Sequence, residues 1–165
     1  MSATRSDRDL RLRLELLSVP DSVGLVRSLI RTVGRAADLD PALIDDMRTA
    51  VSEACNNVVL HAYESTPGAM IFSLTTRGDS IEIVVRDHGC GIRPGAARNR
   101  GLGMGVTLIN SLADRAEFES SELGTEVRMR FRRPAYVPES LEAFSLERWA
   151  LTDPQSSSAL QARSN

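Results

Sequence analysis

The first patterned stretch of the chain alternates leucines strictly with charged residues. It runs from Leu10 to Leu17 and reads LRLRLELL. Successive side chains of a strand point to opposite faces, so the even-numbered leucines share one face, and Arg11, Arg13 and Glu15 share the other. The pattern predicts a half-buried strand at a sheet edge, where a second subunit can pair.

A helical periodicity follows this strand. Apolar residues recur at three- and four-residue spacing from Val23 to Ala37. We expect a helix with Asp21 or Ser22 as its N-cap and an end near Asp38.

The next helix is the most informative one. Asp40 followed by Pro41 is typical of an N-cap and first helical position, so we expect a helix from there to about Ala62. Its apolar stripe consists of Leu43, Met47, Ala50, Val51, Ala54 and Val58. The polar residues beside this stripe therefore lie on the rim of a core.

The second half of the chain predicts four strands and one more helix. The strands cover 69–76, 80–86, 113–120 and 125–132, with short turns at 77–79 and 122–124, and the helix covers 102–112. These elements predict an α/β fold of the α+β type. We expect a two-layer sandwich whose mixed, mostly antiparallel sheet carries helices on one face.

Length and composition predict one domain. With 165 residues and 42% hydrophobic content, the chain can bury one core, which we place at residues 10–133. Residues 1–9 are expected to be disordered. The tail, 134–165, is expected to hold one short helix over 141–151 and to be disordered from 152.

The charge pattern excludes several classes of protein. The net charge is −2 and no basic cluster stands out, so we expect no binding to nucleic acid or membrane. The 20 basic residues are all arginine, which excludes the lysine-dependent P-loop and eukaryotic-type protein kinase sites. No apolar run has transmembrane length, and Cys55 and Cys90 are too few for a disulfide framework, so we expect a cytoplasmic protein.

Polar residues recur every four positions on the second helix. Glu53, Asn57 and His61 lie in VSEACNNVVLHAY and project from one side of it. Glu53 can orient or deprotonate a hydroxyl, and the carbonyl oxygen of Asn57 is a ligand that magnesium accepts. Ordinary edge residues of a half-buried helix remain the alternative. His61 and His88 do not match a zinc signature, and we expect a packing or capping role.

Two glycine-containing stretches add to this pattern. In VVRDHGCGI, Asp87 ends a strand before Gly89 and Gly91, and an acidic turn is the alternative to a binding function. GLGMGVTLI opens a helix with Gly101, Gly103 and Gly105, whose amides can face anionic phosphates. A flexible linker is the alternative here, whereas a dinucleotide fingerprint fails because no strand precedes it.

These stretches, in this order, resemble the GHKL ATPases, and SEACNNVVLHAY, VRDHGCGI and GLGMGVTLINSLAD are most similar to the bacterial anti-sigma factor serine kinases. The resemblance covers roughly residues 10–132. It implies a Bergerat-type, histidine kinase-like ATPase fold that binds ATP and Mg²⁺. It also implies specific roles: Glu53 as the catalytic carboxylate, Asn57 as the magnesium ligand, Asp87 as the group that binds adenine, Thr125 as its support, and Gly89, Gly91, Gly101, Gly103, Met104 and Gly105 as nucleotide-loop positions.

The loop before the last of these stretches has the composition of a short lid, over 91–101. Arg98 and Arg100 within it can add positive charge at the γ-phosphate, although arginines in such loops are more often solvated.

The resemblance further implies partners. Such proteins typically form homodimers, bind a sigma factor and phosphorylate a serine of a small anti-anti-sigma protein of the STAS type. Two alternatives stay open: a non-catalytic ATP-binding module that sequesters a regulator, and a detached catalytic domain of a histidine kinase.

Overall fold

The computed structural model describes residues 10–91 and 102–133, with the backbone alone at 102 and 103. The expectations for 1–9, for the lid over 92–101 with Arg98, Arg100 and Gly101, and for the tail 134–165 lie outside these residues.

The described residues form an α+β fold with one five-stranded sheet and three α-helices. The elements in chain order are β1 (Arg11–Leu17), α1 (Pro20–Ala36), α2 (Pro41–Asn57), a π-helical turn (Val58–Ala62), β2 (Ala69–Arg77), β3 (Ser80–Asp87), α3 (Leu102–Leu112), β4 (Arg115–Ser121) and β5 (Gly124–Arg132). The strand order is β1-β2-β3-β5-β4, and all four pairs are antiparallel. The predicted fold class is confirmed, and β1 is an edge strand as expected.

The sheet has one apolar and one charged face. Inward side chains form continuous rows across the strands, such as Phe72, Val85 and Val127 in register. They share one core with buried residues of all three helices, which therefore cover the same face. On the other face Glu82 pairs with Arg128 at 2.9 Å and with Arg130 at 3.0 Å. The charged alternation seen in β1 thus continues across the sheet.

The ends of the helices differ in part from the prediction. Val19, and neither Asp21 nor Ser22, is the N-cap of α1, because Pro20 occupies the first helical position and its fixed φ suits the first turn. In α2, the expected cap is present: Asp40 Oδ1 accepts a hydrogen bond from Ala42 N at 2.7 Å.

The boundary between α3 and β4 also differs. The predicted strand began at Ala113, but Ala113 N still donates to Ile109 O at 3.0 Å, so this residue completes the helix and β4 begins at Arg115.

The last turn of the predicted second helix is wider than a regular α-helix. Residues Val58–Ala62 continue α2 without a break but in π-helical geometry, a form that is frequent at functional sites. Glu53 and Asn57 keep their four-residue alignment because both lie in α2. His61 lies in the π-helical turn, so its direction does not follow from that spacing.

Candidate functional site

Asp87 lies at the end of β3 with only 4% of its surface exposed. Its Oδ1 atom accepts hydrogen bonds from Gly89 N at 2.8 Å and Thr125 N at 3.2 Å. Strands β3 and β5 are antiparallel neighbours, and Arg86 pairs with Glu126. Asp87 and Thr125 are the next residues along the two strands, so they lie side by side. Both contacts use one carboxylate oxygen, which leaves Oδ2 available to a ligand.

The environment of Asp87 changes its acidity. Burial raises the pKa of this carboxyl group above its ordinary value, while the hydrogen bonds from Gly89 and Thr125 and the charge of His88 act in the opposite direction. A buried carboxylate with two fixed donors on one oxygen is a well-oriented acceptor for a neutral amino group.

The loop after Asp87 packs tightly against neighbouring backbone. A side chain at Gly89 would collide with the carbonyl group of Ala62, and one at Gly91 would collide with the carbonyl oxygen of Ser121. Cys90 N, between them, donates to Ala62 O at 2.9 Å. The family resemblance implied that these glycines are nucleotide-loop positions, and the structure adds a packing requirement within the protein itself.

Gly124 is a residue of this region that the sequence analysis did not assign to the site. Its φ is +127°, and a Cβ atom there would collide with the carbonyl oxygen of Asp87. Only glycine adopts such a backbone conformation readily. Its position between the β4–β5 turn and Thr125 was the one signal in the sequence that could have assigned it to the site.

At the other side of the site, α3 approaches α2 through a glycine. An ideal Cβ atom on Gly105 would lie 3.3 Å from Glu53 Oε2 and 3.7 Å from Asn57 Nδ2. Glu53 and Asn57 are half-buried, and neither side chain has a recorded hydrogen-bond partner within the described part of the chain. The structure therefore brings Glu53, Asn57 and Gly105 together, with both polar side chains free to act on a ligand.

The remaining nucleotide-loop candidates differ in what the structure describes. Gly103 and Met104 lie in the first turn of α3, where backbone N–H groups have no partner within the helix. The Met104 side chain is 79% exposed and points to solvent. Gly101 lies outside the described residues.

A single cleft joins Asn57 to Asp87. Its lining residues come from α2, the π-helical turn, three strands, the loop after β3 and α3: Ala54, Asn57, Val58, His61, Ala62, Val85, Asp87, Gly91, Val106, Phe118, Thr125 and Val127. Its volume is about 40 Å³, well below the several hundred cubic ångströms typical of ligand pockets. As it stands, this cleft is too small for a group the size of a nucleobase.

Two aromatic residues of the site were assigned no role in binding from the sequence. His61 lines the cleft, and its buried Nδ1 atom has no hydrogen-bond partner among the described residues. Tyr63 donates from its hydroxyl to Ala69 O at 2.7 Å and accepts from His88 N at 3.0 Å, which ties the helix end to β2 and to the loop after Asp87. The four-residue spacing of Glu53, Asn57 and His61 was a signal in the sequence for His61. No sequence pattern indicated Tyr63.

The described residues include no ready-made metal cluster, and Asn57 is the candidate magnesium ligand among them. Within residues 10–91 and 102–133, no group of three or more His, Cys, Asp or Glu side chains could hold a metal ion. Magnesium commonly takes one or two protein ligands and completes its shell with phosphate oxygens and water, and the free amide of Asn57 meets that need.

Comparison with known proteins identifies the family of this chain. The family model of the histidine kinase-like ATPase domain matches residues 16–131. The chain belongs to the histidine kinase-like ATPase family and is an ATP-binding domain of the kinase type.

Similar proteins indicate the branch of this family to which the chain belongs. The anti-sigma F factor of Thermoanaerobacter sp. (strain X514) is 34% identical over 131 residues, which cover 72% of this chain and 90% of that protein. The anti-sigma F factor of Clostridium acetobutylicum (strain ATCC 824) is 30% identical over 136 residues, which cover 73% and 92%. Within the family, the chain falls in the anti-sigma factor kinase branch.

A solved structure shares the fold. The crystal structure of the RsbU and RsbW domains of Rv1364c from Mycobacterium tuberculosis matches with a TM-score of 0.62 at 22% identity. The match covers 76% of this chain and 34% of that longer one, so it supports the fold alone. Separately, none of the helices in the described part of the chain is long and apolar enough to cross a membrane.

Proposed function

We propose that this protein is an ATP- and magnesium-dependent protein serine kinase that also acts as an anti-sigma factor. The observation that carries the proposal is the convergence of Glu53 and Asn57 on Gly105, at a cleft whose other side holds the buried carboxylate of Asp87. The names of the relatives, anti-sigma F factors, support the partner class.

The adenine end of the nucleotide is assigned to Asp87. Its free oxygen accepts a hydrogen bond from the adenine amino group, and Thr125 and Gly89 hold the carboxylate in place through their N–H groups. Because α3 contributes Val106 to the wall of the cleft, adenine entry requires α3 to move away from α2. The same movement changes the position of the first turn of α3 relative to Glu53.

The phosphate end is assigned to α2 and the first turn of α3. The backbone amides of Gly103, Met104 and Gly105 face the phosphates, and the helix dipole favours negative charge there. Asn57 would hold the magnesium ion, which, when bound, neutralises phosphate charge. Glu53 orients the serine hydroxyl of the partner for in-line attack and accepts its proton.

The partners are assigned by class. We propose that the protein binds a sigma factor and phosphorylates a serine of an anti-anti-sigma protein of the STAS type. A homodimer is proposed through β1, one of the two edge strands of the sheet among the described residues, the other being β4.

The test is transfer of label from γ-labelled ATP to a candidate anti-anti-sigma protein. We expect phosphoserine with the wild type and its loss in Glu53→Gln, with ATP binding retained in both. Asp46→Asn is the matched control, since it removes a carboxylate two turns earlier on the same helix. Failure of the wild type to label serine while it binds ATP overturns the kinase assignment and favours the non-catalytic module. Label on histidine favours the histidine kinase alternative.

A further inference from the structure

A second cavity lies at the opposite end of the sheet from Asp87. It is bounded by the last turns of α1, the beginning of β1 and the adjoining ends of β2, β3 and β5, and its volume is about 430 Å³. Ile81, which lines it, is six residues from Asp87 along β3, or roughly 20 Å. None of its lining residues belongs to the Asp87 cleft. The cavity is therefore separate from the proposed nucleotide site.

The wall of this cavity is almost wholly apolar. Its floor is made of core side chains with 2% or less of their surface exposed: Ile30, Met47, Leu74 and Ile81. The end of α1 lines the cavity with small side chains, at Ala36 and at the C-cap Ala37. Water in such a space is unfavourable, because removing apolar surface from water lowers the free energy by about 25 cal/mol per Å².

One cation stands at the mouth of the cavity. Arg133 follows β5 and is half-buried, and its Nη2 atom donates to Ala37 O at 2.8 Å. This carbonyl is the one acceptor recorded for the guanidinium group within the described residues, and no ion pair with a carboxylate is recorded there. A guanidinium group carries five N–H donors, so several remain for an anionic group, which it can bind through two parallel hydrogen bonds.

We propose that this cavity binds a medium-chain aliphatic carboxylate. The carboxylate group pairs with Arg133, and the chain extends over Val33 and Leu12 to the floor. Taking roughly 30 Å³ for each heavy-atom unit, the volume that one water molecule occupies in the liquid, and discounting the open mouth, the space holds a chain of roughly ten carbons. An apolar pocket of a few hundred cubic ångströms with one orienting polar group is the usual form of a small-molecule site.

The probe is decanoate, titrated into the full-length protein below its micelle-forming concentration and followed by calorimetry. We expect saturable binding of one molecule per chain that persists in the presence of saturating Mg-ATP. Arg133→Gln should weaken it about 10-fold or more, and Val33→Trp should abolish it by filling the cavity. The matched controls, Arg31→Gln and Ser28→Trp, change residues of α1 that do not line the cavity and should leave the affinity unchanged.

Three outcomes would overturn the proposal. They are uptake of decanoate only near micelle formation, equal affinity for decyltrimethylammonium, and unchanged binding in Val33→Trp. If circular dichroism shows that Val33→Trp does not fold, Ala36→Phe at the rim replaces it, with the same expected loss. Because decanoate uptake is measured by itself and needs no nucleotide, its failure leaves the proposed kinase function untouched.

Discussion

Substitution of Gly89 by alanine tests how the loop after Asp87 is held. The new Cβ atom would meet three backbone atoms of Ala62, its O, C and Cα, and none of these can move as a side-chain end could. The loop must therefore shift away from the helix end. That shift breaks the hydrogen bond from Cys90 N to Ala62 O and disturbs the one from Gly89 N to Asp87 Oδ1.

The cost follows from these contacts. Overpacking against rigid neighbours costs about 1–3 kcal/mol. An amide left without its partner adds about 1–3 kcal/mol. Since the backbone relaxes in part, we expect a loss of about 2–4 kcal/mol in the free energy of unfolding, a large share of the ~5–15 kcal/mol typical of a domain. Because Asp87 loses its fixed orientation, ATP affinity should fall about 10-fold or more.

The assay is equilibrium unfolding in urea, with an ATP titration of the folded variant. The unfolding midpoint should fall by about 1–2 M. Gly24→Ala is the matched control: a Cβ atom there meets nothing within 4 Å, and alanine should stabilise the interior of α1 by about 1 kcal/mol. A Gly89→Ala protein with wild-type stability and wild-type ATP affinity would refute the reasoning.

Further predictions follow from burial and hydrogen bonding. Because the folded pKa of Asp87 is raised, its ionised form opposes folding; the free energy of unfolding should fall as pH rises from the ordinary aspartate value through the raised one, and Asp87→Asn should remove this dependence in urea titrations at several pH values. Burial raises the pKa of Cys55 to about 12, so iodoacetamide at pH 8 should label the half-buried Cys90 and leave Cys55 unmodified until the protein unfolds; mass spectrometry that finds both labelled in the native state would contradict this. Tyr63→Phe removes two hydrogen bonds, to Ala69 O and from the exposed amide of His88, and at about 0.5–1.5 kcal/mol each should cost about 1–3 kcal/mol in thermal or urea unfolding, whereas a change below about 0.5 kcal/mol would show that water replaces the hydroxyl.

The elements of the fold were predictable because each has a strong local pattern. Alternation in β1 and β3 gave both faces of the sheet, and the pair Asp40-Pro41 gave the start of α2. Local patterns failed where two signals competed. At the start of α1, Pro20 displaced the polar residues that favoured a later cap.

Single residues of the candidate site could be selected from the sequence, whereas the contacts between them could not. Position at a strand end identified Asp87, and helical spacing aligned Glu53 with Asn57. The contact of Gly124 with the Asp87 backbone, and the link through the Tyr63 hydroxyl, join residues that are 37 and 25 positions apart in sequence. Such contacts depend on strand register and on the π-helical turn, which no short stretch of sequence encodes.

The most direct test of the central claim is a calorimetric titration of the folded protein with Mg-ATP. The account predicts saturable binding of one nucleotide per chain and a preference for ATP over GTP. Asp87→Asn should keep the acceptor for Gly89 and Thr125 yet weaken ATP binding about 10-fold or more, because an amide cannot replace the carboxylate toward the adenine amino group. No saturable uptake by well-folded protein, or equal affinity in Asp87→Asn, would contradict the account.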